Sequence, residues 1–377
     1  MKVIDMITET KTTPVGNGGR QFELDLAKFF AIAFMILVHC YDYSPLYLFP
    51  DDAASGDFSS MAGTVIEFLG AQPAAPVFMF CMGIGMVYTR HGSPADFARR
   101  GLRLFVTGYL LNLYRSLFVA GILLFGDLGD AHLTPFLVAF ALCVDILPFA
   151  GLTFLFFALM KHLRVSHGLS AAIVLLLLLI GNVLPTVGNE ETWYSYLAGL
   201  LWYQNNFTSF PLFQWLSFPM AGVLFGACLK RSEVKSRLYA RTFFVGLMLF
   251  LASTAVACLL GKDLRTFFTT CYFDMDVLQT VWSMGIVLLL LSLYFVVAKV
   301  LRHQETRDFA SFCSRNVNSI YLWQWGLITP VSALSLAGLL PVDTFFKLIV
   351  EAVIIFAACV AIVKWRRQAA KGASVSS

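Results

Sequence analysis

Charged side chains are scarce in this sequence. Asp, Glu, Lys and Arg make up 13% of its 377 residues and hydrophobic residues 58%, whereas a soluble domain carries roughly 25% charged residues. So few charges cannot cover the surface of a water-soluble domain of this length. The shortage therefore excludes a soluble globular protein and predicts an integral membrane protein.

Domain boundaries and targeting signals are missing as well. No long polar linker, internal repeat or low-complexity block divides the chain. We therefore expect one transmembrane domain at 20–366, preceded by a short polar cytoplasmic segment at 1–19 and followed by a short cytoplasmic tail at 367–377. The first segment lacks the apolar core of a signal peptide, so no cleavage is expected there.

Signatures of metal, disulfide and nucleotide sites are also lacking. Most of the eight cysteines lie in apolar runs, with no CxxC pair and no His/Cys cluster at metal-ligand spacing. Buried, unreactive thiols and no metal site are expected. No glycine-rich phosphate loop of the P-loop kind occurs, and no nucleic-acid partner is expected.

Long apolar runs are abundant instead. A helix needs about 20 residues to cross a ~30 Å hydrocarbon layer, and about ten runs of this length predict an all-α, polytopic helix bundle. Pro73, Pro76 and Pro148 predict kinked or broken helices. The predicted spans lie near 24–44, 68–89, 102–124, 136–160, 168–187, 210–229, 239–260, 278–300, 315–335 and 344–364.

Basic residues concentrate in alternate loops. Together with the two terminal segments these loops hold 22 of the 27 Lys and Arg, while the intervening loops are acidic. Cytoplasmic loops are enriched in Lys and Arg. We therefore expect both termini in the cytoplasm and an even number of spans.

Histidine is rare, and His39 alone among six lies in a predicted span. A helix advances about 100° per residue, so Lys28 lies within about 20° of His39 on one face and roughly 16 Å away along the axis. Asp25 and Asp42 fall within about 60° of Lys28 on the same stripe. Ionisable groups in a span are costly and mark functional sites, and histidine exchanges protons near neutral pH.

This stripe predicts a catalytic group formed by His39, Lys28 and Asp42. Asp42 follows His39 by one turn, where its carboxylate would orient the ring or stabilise its charged form. The alternatives are a His39 that only hydrogen-bonds a neighbouring helix and a Lys28 that extends to the membrane interface.

Five further polar residues in predicted spans are candidate substrate-binding residues. For Arg115 and Asp145 the alternative is a structural ion pair with each other. Asn318, Tyr321 and Gln324 are spaced three apart in RNVNSIYLWQW, where tyrosine and tryptophan also fit an interfacial belt.

Three arginines open the third predicted span in ADFARRGLRLF. Arg99, Arg100 and Arg103 are the predicted cofactor-binding residues, because clustered guanidinium groups hold polyphosphates through paired hydrogen bonds. The alternative is ordinary enrichment of basic residues on the cytoplasmic side.

The stretch RQFELDLAKFFAIAFMILVH resembles the opening of the transmembrane acyltransferase superfamily, which includes the acyltransferase-3 enzymes and the heparan-alpha-glucosaminide N-acetyltransferase group. AAPVFMFCMGIGMVYT with FARRGLRLF resembles the family's second and third helices, DILPFAGLTFLFFAL its fourth and NVNSIYLWQWGLI its penultimate helix. The likeness spans most of the chain.

The resemblance implies an enzyme that takes acetyl or another acyl group from cytosolic acyl-CoA. The acceptor would be a hydroxyl or amine, commonly on a sugar, at the membrane or on its far face. Two positions depart from the family pattern. Lys28 stands where the acyltransferase-3 branch has arginine, and Gln324 replaces a histidine often found in the penultimate helix, which leaves His39 as the main proton carrier.

Direct transfer and prior acylation of His39 both stay open. The rival functions are a transporter or flippase, because polar residues lining a bundle also serve a substrate path, and a non-catalytic scaffold. We expect a multi-pass protein of the cell membrane, the inner membrane in a bacterium. Its expected partners are lipids, acyl-CoA and a glycan or small-molecule acceptor, and a homodimer is left open.

Overall fold

A computed structural model describes residues 19–48, 57–125, 138, 141–184, 193–202, 208–264, 273, 275–336, 339–340 and 342–375. This part of the chain is helical and contains no strand, which confirms the all-α prediction. The helices are α1 (Phe22–Asp42), α2 (Pro45–Leu48), α3 (Asp57–Ala71), α4 (Ala75–Tyr88), α5 (Pro94–Phe125), α6 (Ile146–His162), α7 (His167–Val183), α8 (Trp193–Leu201), α9 (Leu212–Trp215), α10 (Ser217–Arg231), α11 (Lys235–Leu259), α12 (Val277–Val300), α13 (Gln304–Arg315), α14 (Val317–Leu336) and α15 (Phe345–Val375).

Helix α1 is the central helix of the bundle. It contacts α3, α4, α12, α13, α14 and α15, and Ala27, Ala31 and Ile32 on it are wholly buried. Small side chains let neighbouring helices approach closely in a membrane protein. On the polar stripe of α1, Asp25 is buried as well, and Lys28, His39 and Asp42 are partly exposed.

Helices α4 and α10 pack closely through paired glycines in the runs 83–86 and 221–227, and small residues are typical of close helix contacts in membranes. A Cβ on Gly83 would collide with the carbonyl oxygen of Pro219, and a Cβ on Gly222 with that of Phe80. Only glycine allows the two backbones this separation.

The span predicted at 68–89 is two helices. Helix α3 ends at Ala71 and α4 begins at Ala75, with Pro73 in the turn and Pro76 in the first turn of α4, where a missing N–H removes no hydrogen bond. The buried side chain of Gln72 in the break accepts a 2.7 Å hydrogen bond from Ser283 of α12. The break is thereby fixed to the bundle.

The span predicted at 136–160 differs from the structure at its start. Helix α6 begins at Ile146, because Asp145 in extended conformation caps it and accepts a hydrogen bond from the Ile146 N–H at 2.7 Å. Pro148 then falls in the first turn, where proline is tolerated. Residues 126–137 and 139–140 lie outside the described part of the chain.

Within the described part of the chain, six segments are long and apolar enough to cross a membrane, and α6 and α7 are apolar but shorter. On α11 the side chains of Phe244, Met248 and Leu251 are exposed, which suits a surface in contact with lipid. The chain is therefore a multi-pass helical membrane protein. The count of ten spans and the cytoplasmic placement of both termini stay predictions, and α15 continues through the predicted tail to Val375.

Candidate functional site

His39 lies in the last turn of α1 and is only partly exposed. Its Nδ1 atom is 3.1 Å from the amide nitrogen of Gln324 on α14. Its ring centroid is 4.4 Å from that of Trp325 and 6.4 Å from that of Tyr321. The imidazole is thus held against α14 rather than turned toward lipid.

Arg115 of α5 is the centre of a polar network beside this histidine. It donates to Asp145 at 2.9 Å and to the hydroxyl of Tyr43 at 2.6 Å. Asp145 also accepts a hydrogen bond from the hydroxyl of Tyr321 at 3.2 Å. A buried guanidinium needs such partners because an uncompensated charge is strongly destabilising inside a protein.

Trp325 joins the network to the histidine. The guanidinium carbon of Arg115 is 3.6 Å from a ring centroid of Trp325, which also packs against His39. Tyr43 meets the same indole edge-on at 5.5 Å. Trp325 is 2% exposed, so its indole is enclosed between these side chains and the rest of the bundle.

Of the five predicted substrate-binding residues, four meet around His39 and one does not. Arg115, Asp145 and Tyr321 form the network, and Gln324 touches the histidine itself. Arg115 and Asp145 also form the ion pair that was the structural alternative. Asn318 is exposed, because six residues on a helix turn it about 120° away from Gln324.

Asp42 has different neighbours from those the sequence predicts. The structure places no hydrogen bond between Asp42 and His39, and Gln324 occupies the Nδ1 side of the ring instead. Three residues along a helix leave Asp42 and His39 about 60° apart, enough for them to face different neighbours. The catalytic assignment of Asp42 stays a prediction.

Lys28 belongs to a cluster at the other end of α1. Its ammonium is 4.0 Å from Asp25 and its side chain is 28% exposed. Asp25 is almost fully buried and also accepts hydrogen bonds from Arg20, Ser311 and Ser314. Asp25 therefore ties α1 to α13, while the partly exposed ammonium of Lys28, at 4.0 Å from Asp25, has room to meet a further anion as well.

The three predicted cofactor-binding arginines are all exposed but point in different directions. A helix turns about 100° per residue. Viewed along α5, Arg99 therefore lies roughly 160° from Arg115, Arg103 about 120° from it and Arg100 about 60° from it. Arg100 packs its guanidinium 4.6 Å from the ring of Phe154 on α6. The outward face of α5, which Arg99 shares, carries the exposed residues Leu102, Val106, Leu110 and Leu117.

The site contains residues that sequence reasoning did not single out. Tyr43 and Trp325 stand beside Asp42 and Gln324, but no spacing along the chain relates either of them to Arg115. The motif RNVNSIYLWQW contains Trp325, and its presence there was the signal that could have pointed to this residue. Among the described residues no group of three His, Cys, Asp or Glu side chains is placed to hold a metal ion.

Comparison with known families identifies the family of this chain. The sequence model of a family described as an acyltransferase domain, acyltransferase 3, matches residues 21–364. This range includes every residue of the site around His39 and, apart from Arg20, every residue of the cluster around Asp25. No curated protein matches the chain.

Proposed function

The chain belongs to the acyltransferase-3 family, and from this premise we propose that it moves an acyl group, acetyl in the first instance, from cytosolic acyl-CoA to a hydroxyl or amine. The acceptor is a sugar or another envelope-associated molecule at the membrane. The proposed location is the cell membrane, the inner membrane if the source is a bacterium. The observation that carries the proposal is a histidine whose Nδ1 is engaged by Gln324 within a helix bundle.

His39 is the proposed proton carrier. Its Nε2 takes the proton of the acceptor O–H or N–H as the acceptor atom attacks the thioester carbonyl carbon. The bond from carbon to the acceptor forms, the C–S bond breaks, and the leaving CoA thiolate receives the proton from Nε2. A positioned base of this kind contributes typically 10²–10⁴-fold to the rate.

The donor's charged end is proposed to lie at the Lys28 end of α1. Lys28 is partly exposed and Arg100 lies on the side of α5 nearer to Arg115. Phosphate groups pair well with both side chains. Lys28 and His39 are about 16 Å apart along the helix, a gap for the extended pantetheine arm of CoA to bridge.

The same nitrogen serves the alternative route, in which Nε2 attacks the thioester and carries the acyl group to the acceptor. Rapid mixing with acyl-CoA in the absence of acceptor distinguishes the two. A burst of CoA equal to the enzyme concentration supports acylated His39, and its absence supports direct transfer.

The test of the function uses purified protein in detergent with acetyl-CoA and a panel of sugar acceptors. We expect CoA release that His39→Ala lowers by about 10²–10⁴-fold. His167→Ala, at the start of α7, is the matched control because it removes an exposed imidazole. Thioester turnover that survives His39→Ala unchanged would remove the mechanism, and acceptor movement across liposomes without acyl-CoA binding would favour a transporter.

A further inference from the structure

Gln324 is the polar residue in contact with the proposed proton carrier. Its side chain is completely buried, and its amide nitrogen is 3.1 Å from Nδ1 of His39. Among the described residues the His39 ring makes no other hydrogen bond. Nε2 is therefore the ring nitrogen left for substrate.

A glutamine amide can meet an imidazole nitrogen in two ways. Its NH₂ group donates to an unprotonated Nδ1, or, after a half turn of the amide, its oxygen accepts the proton of an N–H at Nδ1. In the first arrangement a neutral ring carries its proton on Nε2, and in the second Nε2 has a free lone pair. The two arrangements give the histidine opposite chemistry at the atom that faces substrate.

Burial alone does not choose between them. With the NH₂ group on Nδ1, Oε1 of Gln324 is buried and has no partner among the described residues. A half turn of the amide gives that oxygen a hydrogen bond from Nδ1 of His39, and the NH₂ group is then the one without a partner among the described residues. The reaction makes the choice, since a general base and an acyl carrier both need the lone pair on Nε2.

We propose that Gln324 is a positioning residue that accepts the Nδ1 proton of His39 and so holds the ring in the tautomer with a free Nε2. The inference rests on the proposed function. It reassigns Gln324 from substrate binding to orientation of the base, the role that the sequence predicts for Asp42. A neutral amide orients the ring without adding a negative charge to the site.

Trp325 supplies the second constraint on the ring. The indole packs 4.4 Å from the imidazole and is held by Arg115 at 3.6 Å. Gln324 and Trp325 are consecutive on α14, so one turn of helix sets both the tautomer and the ring plane. The histidine is thus preorganised before substrate arrives, which lowers the cost of reaching the transition state.

The direct test is nitrogen NMR of protein labelled with ¹⁵N-histidine, with His39→Ala used to assign the signal. Wild type should show a protonated Nδ1 and an unprotonated Nε2. Gln324→Leu should show both tautomers, and Thr329→Val, which removes a buried hydroxyl of α14 that bonds to the Trp325 carbonyl, should keep the wild-type pattern. A proton on Nε2 in wild type would overturn the assignment, whether or not the protein transfers acyl groups.

Kinetics add a second readout. Gln324→Leu should lower kcat by about tenfold or more, part of the 10²–10⁴-fold that a positioned base contributes, with KM for acyl-CoA unchanged. Gln324→Glu, whose carboxylate accepts the same proton, should restore most of the loss. If the Leu, Glu and Thr329→Val variants all lose activity in proportion to thermal stability, Gln324 is only structural and the proposal fails.

Discussion

Arg115 and Asp145 stand 30 positions apart in the chain and bring their charged atoms to 2.9 Å of each other. The pair links α5 to the start of α6, and Asp145 also accepts the first N–H of α6. Both side chains are largely buried. The contact fixes the start of α6 beside α14, because Asp145 also accepts a hydrogen bond from Tyr321 of α14 near His39.

Removing one member of this pair should destabilise the protein strongly. Arg115→Met or Asp145→Asn leaves a buried charge without the opposite charge that compensates it, and such changes cost about 3–5 kcal/mol. The double variant should recover much of that loss, because neither charge then remains. Thermal unfolding in detergent measures the stability of the wild type, the two single variants and the double variant. Additive losses in the double variant would mean that the two side chains contribute independently.

Lys28 should act on donor binding rather than on the chemical step. Lys28→Met removes one charge-assisted contact, so KM for acyl-CoA should rise by about tenfold with kcat little changed. Lys28→Arg should bind the donor at least as well, since a guanidinium adds a second hydrogen bond.

The matched control is Lys235→Met. Lys235 lies near Glu23 at 3.5 Å and hydrogen-bonds Gln21 at the same end of α1, but it is proposed to bind no substrate. A rise in KM from Lys235→Met equal to that from Lys28→Met would mean that the effect is a general one of surface charge.

Arg99 and Arg100 are neighbours in sequence but should differ in function. Arg100→Gln should raise KM for acyl-CoA several-fold, because Arg100 lies on the side of α5 nearer to Arg115. Arg99→Gln should change it by less than about twofold, since Arg99 shares the outward apolar face and reaches the lipid interface. Initial rates at varied acyl-CoA concentrations give the KM of both variants. A larger effect from Arg99 would show that donor binding follows the cluster's total charge.

Gly83 and Gly85 allow a controlled test of helix packing within α4. Gly83→Ala places a methyl group against the Pro219 carbonyl and should lower the thermal unfolding temperature or prevent folding. Gly85→Ala meets nothing within 4 Å and should leave stability unchanged or raise it slightly through better helix propensity. Equal effects of the two would contradict the close approach of α4 and α10.

The sequence alone determined the class of protein and much of its helical layout. Apolar length and the scarcity of charge are local properties, so they predicted an all-helical membrane bundle, and the prolines predicted the break between α3 and α4. A histidine inside an apolar span can also be recognised from the local sequence. His39 therefore stood out without any knowledge of its surroundings.

Only the tertiary structure decided which side chains meet. Helical periodicity placed His39, Lys28 and Asp42 on one stripe, but it carries no information about neighbouring helices. Packing gave His39 the partner Gln324 from α14 and no hydrogen bond to Asp42. Tyr43 and Trp325 join Arg115 from positions 72 and 210 residues away in the chain. Contacts across such separations depend on how the whole bundle folds.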